Sequence, residues 1–114
     1  MYKRQSTGNL VYIENYAGHG TAKAAVETMV RYAAAELGCK GIRVNAVSGG
    51  PIETDALRAF TNYEEVRDVT AKLSPLGRMG QPQDLAGACL FLCSEKASWI
   101  TGHTMLIDGG TTFK

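Results

Sequence analysis

Tyr16 and Lys23 are the residues whose types and spacing first suggest chemistry, with six residues between them. On a helix that begins near Tyr16, seven steps of roughly 100° bring Lys23 almost back beneath the phenol. A phenol and an ammonium on one helix face suit a proton donor whose acidity a neighbouring cation raises. Taken alone, the pair reads more simply as a packed tyrosine and a solvated lysine, because this spacing arises often by chance.

Other reactive side chains offer less. Cys39, Cys89 and Cys93 cannot all pair, and none lies in a Cys-x-x-Cys motif. Cys89 and Cys93 stand one helical turn apart on an apolar segment, so small buried thiols are expected rather than a metal or redox site. His19 falls between Tyr16 and Lys23 and reads as a bystander or a stand-in acid. His103 reads as a loop or edge residue.

The elements that must position these groups alternate in type. Thr21–Leu37 (TAKAAVETMVRYAAAEL) is rich in strong helix formers, and Val26, Met29, Val30, Ala33 and Leu37 recur on one face. Gly38 follows as the expected C-cap. Gly41–Val47 (GIRVNAV) has the β-branched character of a buried strand, which Ser48-Gly49-Gly50-Pro51 is expected to break. From Glu53 to Leu73 the sequence is mixed, with Thr54 and Asp55 as helix caps and Leu57, Phe60, Val66, Val69 and Leu73 loosely spaced, so one or two short helices are expected. Pro82 and Asp84 open a further helix whose Leu85, Cys89, Leu92 and Cys93 form a stripe. Thr104–Ile107 (TMLI) reads as a strand closed by Asp108-Gly109-Gly110.

This order is that of an α/β protein with a parallel sheet, and two strands do not make a stable sheet alone. The 114 residues carry a net charge of +1, with 45% hydrophobic and 20% charged residues, an ordinary globular composition that buries only a modest core. Near-neutral charge gives nucleic-acid binding no electrostatic support, and no apolar run approaches the roughly 18 residues of a membrane span. A cytoplasmic protein with no nucleic-acid or membrane partner is expected. Met1–Gln5 (MYKRQ) shows no periodicity and resembles a translated sequencing-adapter remnant, so residues 1–5 are expected to be a non-native leader.

Five motifs then fall in register: Ser6-Thr7-Gly8, Gly20-Thr21-Ala22-Lys23-Ala24-Ala25, Ile42-Arg43-Val44-Asn45-Ala46-Val47, Gly77-Arg78-Met79-Gly80-Gln81-Pro82, and Ile100-Thr101-Gly102 with Asp108-Gly109-Gly110. Together they resemble the C-terminal half of short-chain dehydrogenase/reductases over nearly all of residues 6–110. The resemblance implies that residues 6–114 are the C-terminal part of a single Rossmann-like domain with a doubly wound parallel sheet, incomplete without its N-terminal half. Most members of that family place the catalytic tyrosine four residues before the lysine, where this chain has His19. Tyr-x6-Lys is the spacing of the enoyl-acyl-carrier-protein reductases within the superfamily. The segments Tyr12–Tyr16 and Asn45–Leu57 are similar to the NADPH-dependent enoyl reductases of the FabL type.

The resemblance implies that Tyr16 and Lys23 are catalytic and that Lys23, Gly49, Gly50, Ile52 and Thr54 border the cofactor. It also implies that Tyr16, Leu57 and Phe60 meet the substrate, an acyl thioester on acyl carrier protein or coenzyme A. NADPH is the implied cofactor, with NADH left open, and a homotetramer the implied assembly. Gly49 and Gly50 read equally as a turn that ends a strand, and residues 55–73 as a substrate lid or as a marginal pair of surface helices.

Two other functions stay open. A 3-oxoacyl reductase or alcohol dehydrogenase of the same superfamily would use Ser6, Lys23 and an unusual His19. A non-catalytic module would use Ala24, Ala25, Ala33 and Ala34 for close helix packing between copies. The chain contains no Gly-x-x-x-Gly-x-Gly turn after a strand, so these residues alone are expected to catalyse nothing measurable.

Overall fold

In the computed structural model, residues 16–59 and 61–112 are described. The leader, Ser6 and Phe60 therefore lie outside the described residues. The first helix, α1, runs Ala17–Leu37 and begins four residues before the expected Thr21. Tyr16 is its N-cap, and the Gly20 N–H donates to the Tyr16 carbonyl at 2.8 Å. No side chain caps this end, and the first turn holds no acidic residue. Its alanines, and a length of 21 residues that offsets the cost of nucleation, carry the helix instead.

Gly38 does not stop α1 as expected. It stays in right-handed helical geometry at φ −58° and opens a tighter turn over Gly38–Lys40. Gly41, at φ 73°, takes the left-handed conformation that ends the helical run, a position that favours glycine.

The first strand, β1, is Ala46–Gly49, several residues later than the expected Gly41–Val47. Ser48 and Gly49 extend the strand rather than break it. The reason is pairing. β1 lies parallel to β2, Thr104–Ile107, with Ala46 opposite Thr104 and Gly49 opposite Ile107. Upstream of Ala46 the Gly102 N–H still donates to the Val44 carbonyl at 2.8 Å, and side chains supply the other bonds. The Val44 N–H donates to Thr101 Oγ1 at 3.1 Å, and Asn45 Nδ2 donates to the Ile100 carbonyl at 2.8 Å. Asn45 Oδ1 accepts from the His103 N–H at 3.1 Å, so both ends of the amide are used.

Between the strands come α2 (Asp55–Arg58), α3 (Tyr63–Leu73) and α4 (Pro82–Cys93). Thr54 caps α2, its hydroxyl accepting from the Leu57 N–H at 3.2 Å. Gln81 and Asp84 form a capping box at the start of α4, with Pro82 in the first turn. At the other end of α4, the Arg43 guanidinium donates to the Leu92 carbonyl at 2.7 Å and the Ser94 carbonyl at 3.3 Å. A cation therefore meets the negative end of the helix. Parallel strands joined through helices give the α/β architecture with a parallel sheet that the sequence indicated.

The buried apolar side chains are Val30, Ala34, Leu57, Met79, Leu92 and Ala97. Only part of each expected apolar face is covered. On α1, Val26 and Met29 are exposed while Val30 is buried. On α4, Leu92 is buried, but Cys89 and Cys93 are exposed, as is Cys39, which corrects the expectation of buried thiols. The physical reason is the size of the sheet: two short strands give the helices too little surface to bury a full stripe. No helix among the described residues is long and apolar enough to cross a membrane.

Candidate active site

Starting α1 at Ala17 puts Tyr16, His19, Lys23, Val26 and Glu27 along one face of its first turns. That face looks across a groove of about 410 Å³ toward Ala46, Val47, Ser48 and Gly49 of β1. Leu85 of α4 and Thr104 of β2 complete the lining. The volume lies within the range of small-molecule sites. Its chemistry comes from the helix face: a phenol, an imidazole, an ammonium and a carboxylate. The His19 ring stacks on the Tyr16 ring, with centroids 4.9 Å apart and planes 20° from parallel.

Of the residues singled out from sequence, the groove thus brings together Tyr16, Lys23 and Gly49, with His19 beside them. The others stand apart from it. Gly50 is buried behind the strand end, where an added Cβ would lie 2.7 Å from Asp108 Cα. At Gly49 an added Cβ would lie 3.0 Å from Leu85 Cδ2 and 3.2 Å from Ile52 Cγ1. Both glycines therefore serve close packing within the chain itself. Ile52 lines a second cleft, Thr54 caps α2, and Leu57 is buried.

The second cleft measures about 160 Å³ and is bounded by Ile52, Thr70, Ser74, Arg78, Asp84 and Asp108 among others. It is too small for a drug-sized ligand, and its charged groups are already engaged. Arg78 donates to both oxygens of Asp84 at 2.7 and 2.8 Å. Asp108 accepts from the Gly110 N–H, the Thr112 N–H and the Thr111 and Thr112 hydroxyls. Burial pushes the Asp108 carboxyl upward, but these donors outweigh it and hold the group below its ordinary value. The cleft is scaffold.

Sequence reasoning missed a polar clamp beside it. Glu53 accepts from the Tyr63 hydroxyl, the Gln81 amide and, at 3.2 Å, Arg58 Nε. The Tyr63 hydroxyl and then the Gln81 amide hold the Glu53 carboxyl down at about 2, against some opposition from burial. Asp84 is likewise held at about 2, first by Arg78 and then by the Gln81 backbone N–H. Only the isolated glutamate after a glycine turn could have signalled this clamp, and its partners lie 10 and 28 residues away. Among the described residues, no group of three or more His, Cys, Asp or Glu side chains could hold a metal ion.

Comparison with known proteins places this geometry. A profile of the family described as Enoyl-(Acyl carrier protein) reductase matches residues 3–112. Uncharacterized oxidoreductase Rv0769 of Mycobacterium tuberculosis is 45% identical over 94% of this chain and 42% of its own length. The 7alpha-hydroxysteroid dehydrogenase of Escherichia coli K12 is 43% identical over 84% of this chain and 37% of its own. The 1-cyclohexenylcarbonyl-CoA reductase of Streptomyces collinus is 41% identical over 92% and 38%. Among solved structures, ElxO with NADP bound superposes with a TM-score of 0.83 at 33% identity, over 96% of this chain and 44% of that one. A short chain dehydrogenase family protein from Francisella tularensis gives 0.84 at 30% identity, over 97% and 50%. The chain thus spans about two fifths of the length of the curated relatives it matches. The chain belongs to the short-chain dehydrogenase/reductase superfamily.

Proposed function

We propose that this chain is the catalytic, substrate-side part of a nicotinamide-dependent enoyl thioester reductase, active once joined to the N-terminal portion that its relatives carry. The observation that carries the reading is that Tyr16 and Lys23 line one groove from one face of α1. The donor set fits the ribose-bearing end of the cofactor, where Lys23 would hold the ribose hydroxyls. Among the described residues there is no Gly-x-x-x-Gly-x-Gly turn between a strand and a helix for the pyrophosphate. The neighbour with NADP bound supports NADPH as the cofactor.

The bound cofactor supplies hydride to C3 of a trans-2-enoyl thioester. Charge then develops on the thioester oxygen, two atoms beyond the carbon next to C3. Tyr16 donates a hydrogen bond to that oxygen and stabilises the enolate. Lys23 adds a positive charge to the same groove wall, which favours a site where negative charge develops. Carbonyl reduction needs its donor beside the carbon that receives hydride, so a tyrosine placed seven residues before the lysine suits the enoyl reaction. The name of the Streptomyces relative, a reductase of an unsaturated acyl-CoA, supports the same substrate class. Acyl carrier protein or coenzyme A would present the thioester. The exposed Met29 and Tyr32 on α1 support assembly of the whole enzyme through this helix, as a homotetramer.

A second reading, reduction of a ketone, has one observation in its favour: His19 also lines the groove, and a hydroxysteroid dehydrogenase is 43% identical. The test follows loss of reduced nicotinamide absorbance in the full-length enzyme with a trans-2-enoyl and a 3-ketoacyl thioester side by side. The enoyl substrate is expected to turn over, and Tyr16→Phe to lower kcat by about 10²-fold, the scale of a lost positioned acid. Preference for the keto substrate, with Tyr16→Phe harmless, would establish the second reading instead.

A further inference from the structure

We propose that the Glu53 carboxylate is a latch: it fastens the α2–α3 segment, residues 55–73, to the body of the fold, and releasing it lets that segment open as one unit. The link from this latch to turnover rests on the reading of the groove as the enoyl thioester site.

The segment is loosely held by packing. Along its two helices only Leu57 and Thr70 are buried. Neither helix packs extensively on the sheet, on α1 or on α4. Few buried contacts are the physical condition for a unit that opens locally while the rest stays folded. Glu53, in contrast, stands on a fixed part of the chain. Its N–H donates to the Gly80 carbonyl at 2.8 Å, and the Gly80 N–H donates to the Pro51 carbonyl at 3.1 Å. The Gln81 amide, at the start of α4, donates to its carboxylate.

Two donors reach that carboxylate from the segment: Arg58, the last residue of α2, at 3.2 Å, and the Tyr63 hydroxyl, from the first residue of α3. One side chain thus gathers the junction of both helices. It is only 17% exposed, so water competes less for it than for the ion pairs Arg67 makes at the surface. Just past α3 the Ser74 hydroxyl donates to the Gly109 carbonyl at 3.1 Å, a second tie at the far end of the segment. Releasing Glu53 therefore frees the helix junction and leaves the segment tethered at Ser74. The segment follows the carboxyl end of β1, the end of a parallel strand at which α/β proteins take ligands. Ile52, next to Glu53, and Leu85, one turn after Gln81, are the close neighbours of Gly49, which lines the groove.

Limited trypsin digestion of the full-length enzyme reads the latch without any substrate, because Arg58, Arg67 and Lys72 all occupy exposed positions in the segment. Cleavage within a helix requires local opening. In Glu53→Ala, cuts within residues 55–73 are expected to come first and about tenfold faster than in the parent, the scale of hydrogen bonds to a charged group. Tyr63→Phe keeps the ring and loses one donor, so it should show a smaller rise at the same sites. Unchanged cleavage in both variants overturns the latch. First cuts elsewhere in the chain also overturn it, because Glu53 would then hold the fold as a whole. With the trans-2-enoyl thioester, Tyr63→Phe is expected to raise KM about threefold as the closed segment becomes less populated, with kcat and the KM for NADPH unchanged. Faster cleavage with an unchanged KM overturns the link to substrate binding. If the parent enzyme prefers the 3-ketoacyl thioester, the enoyl reading falls, and the cleavage pattern alone decides the latch.

Discussion

The two sides of the groove are built by different physics. On the strand side, nearly every polar group is tied down across a long sequence distance. Arg43 reaches the end of α4, Asn45 bridges to Ile100 and His103, and further along the chain, beside the second cleft, Glu53 gathers Tyr63, Arg58 and Gln81. On the helix side, α1 has no side-chain cap at its start and buries only Gly20, Val30 and Ala34 along 21 residues. The proposed catalytic pair, Tyr16 and Lys23, sits on the sparsely packed side. Satisfied networks fix where the wall stands, whereas the groups proposed to react line the groove from the helix.

Variants on the strand side should therefore cost stability, and variants at the start of α1 should cost activity alone. The largest loss of stability is expected from Gly50→Ala. Its new Cβ would meet Asp108 Cα and Cβ at 2.7 Å, and backbone cannot yield as a side-chain tip can. Overpacking of this kind costs about 3 kcal/mol, read as a lower melting temperature of the full-length enzyme by circular dichroism. A melting temperature within a degree of the parent would show that the β1–β2 junction is looser than its geometry. Arg43→Met comes next. It keeps the aliphatic stem but strips the donors from the Leu92 and Ser94 carbonyls at the end of α4. The expected cost is about 2 kcal/mol, that of hydrogen bonds to a charged group. Tyr16→Phe, by contrast, should leave the melting temperature unchanged.

What could be read from the sequence follows the same division. Local signals held: the helix formers of α1, Pro82 and Asp84 at the start of α4, Thr54 as the cap of α2, and the TMLI strand. The Tyr16 and Lys23 pairing needed only helical periodicity, and both residues do share the groove. Signals that depend on distant partners failed. The position of β1 was set by where β2 offers a ladder, so the β-branched run from Gly41 to Val47 was a poor guide to its limits. Arg43 and Asn45 interrupt that run with polar groups, which was the available hint that side chains take over there. The thiols of Cys89 and Cys93 were misread because a stripe is buried only if a surface exists to cover it. Gly49 and Gly50 read equally as a cofactor approach and as a turn, and the structure shows Leu85, Ile52 and Asp108 as their close neighbours.

The smallest effect expected on the strand side is a dependence on acid, and it sharpens the comparison most. Glu53 and Asp84 ordinarily titrate at 4.5 and 3.8, and the fold holds both down at about 2. The unfolded chain therefore binds more protons than the folded one between those limits, so stability rises with pH there. The contribution is complete above about pH 4.5, falls as pH drops, and is gone once pH passes below about 2. Because hydrogen bonds from Tyr63 and Gln81 lead at Glu53, ahead of the half-exposed Arg58, added salt should change its share little. Asp84 leads with Arg78, itself half exposed, and its share should shrink more with salt. Urea titrations from pH 6 to pH 2 on the parent and on the Glu53→Gln, Asp84→Asn double variant measure the difference. The double variant should be less stable at pH 6 and should lose less stability on acidification. Parallel profiles for the two proteins would mean that the clamp does not form in solution.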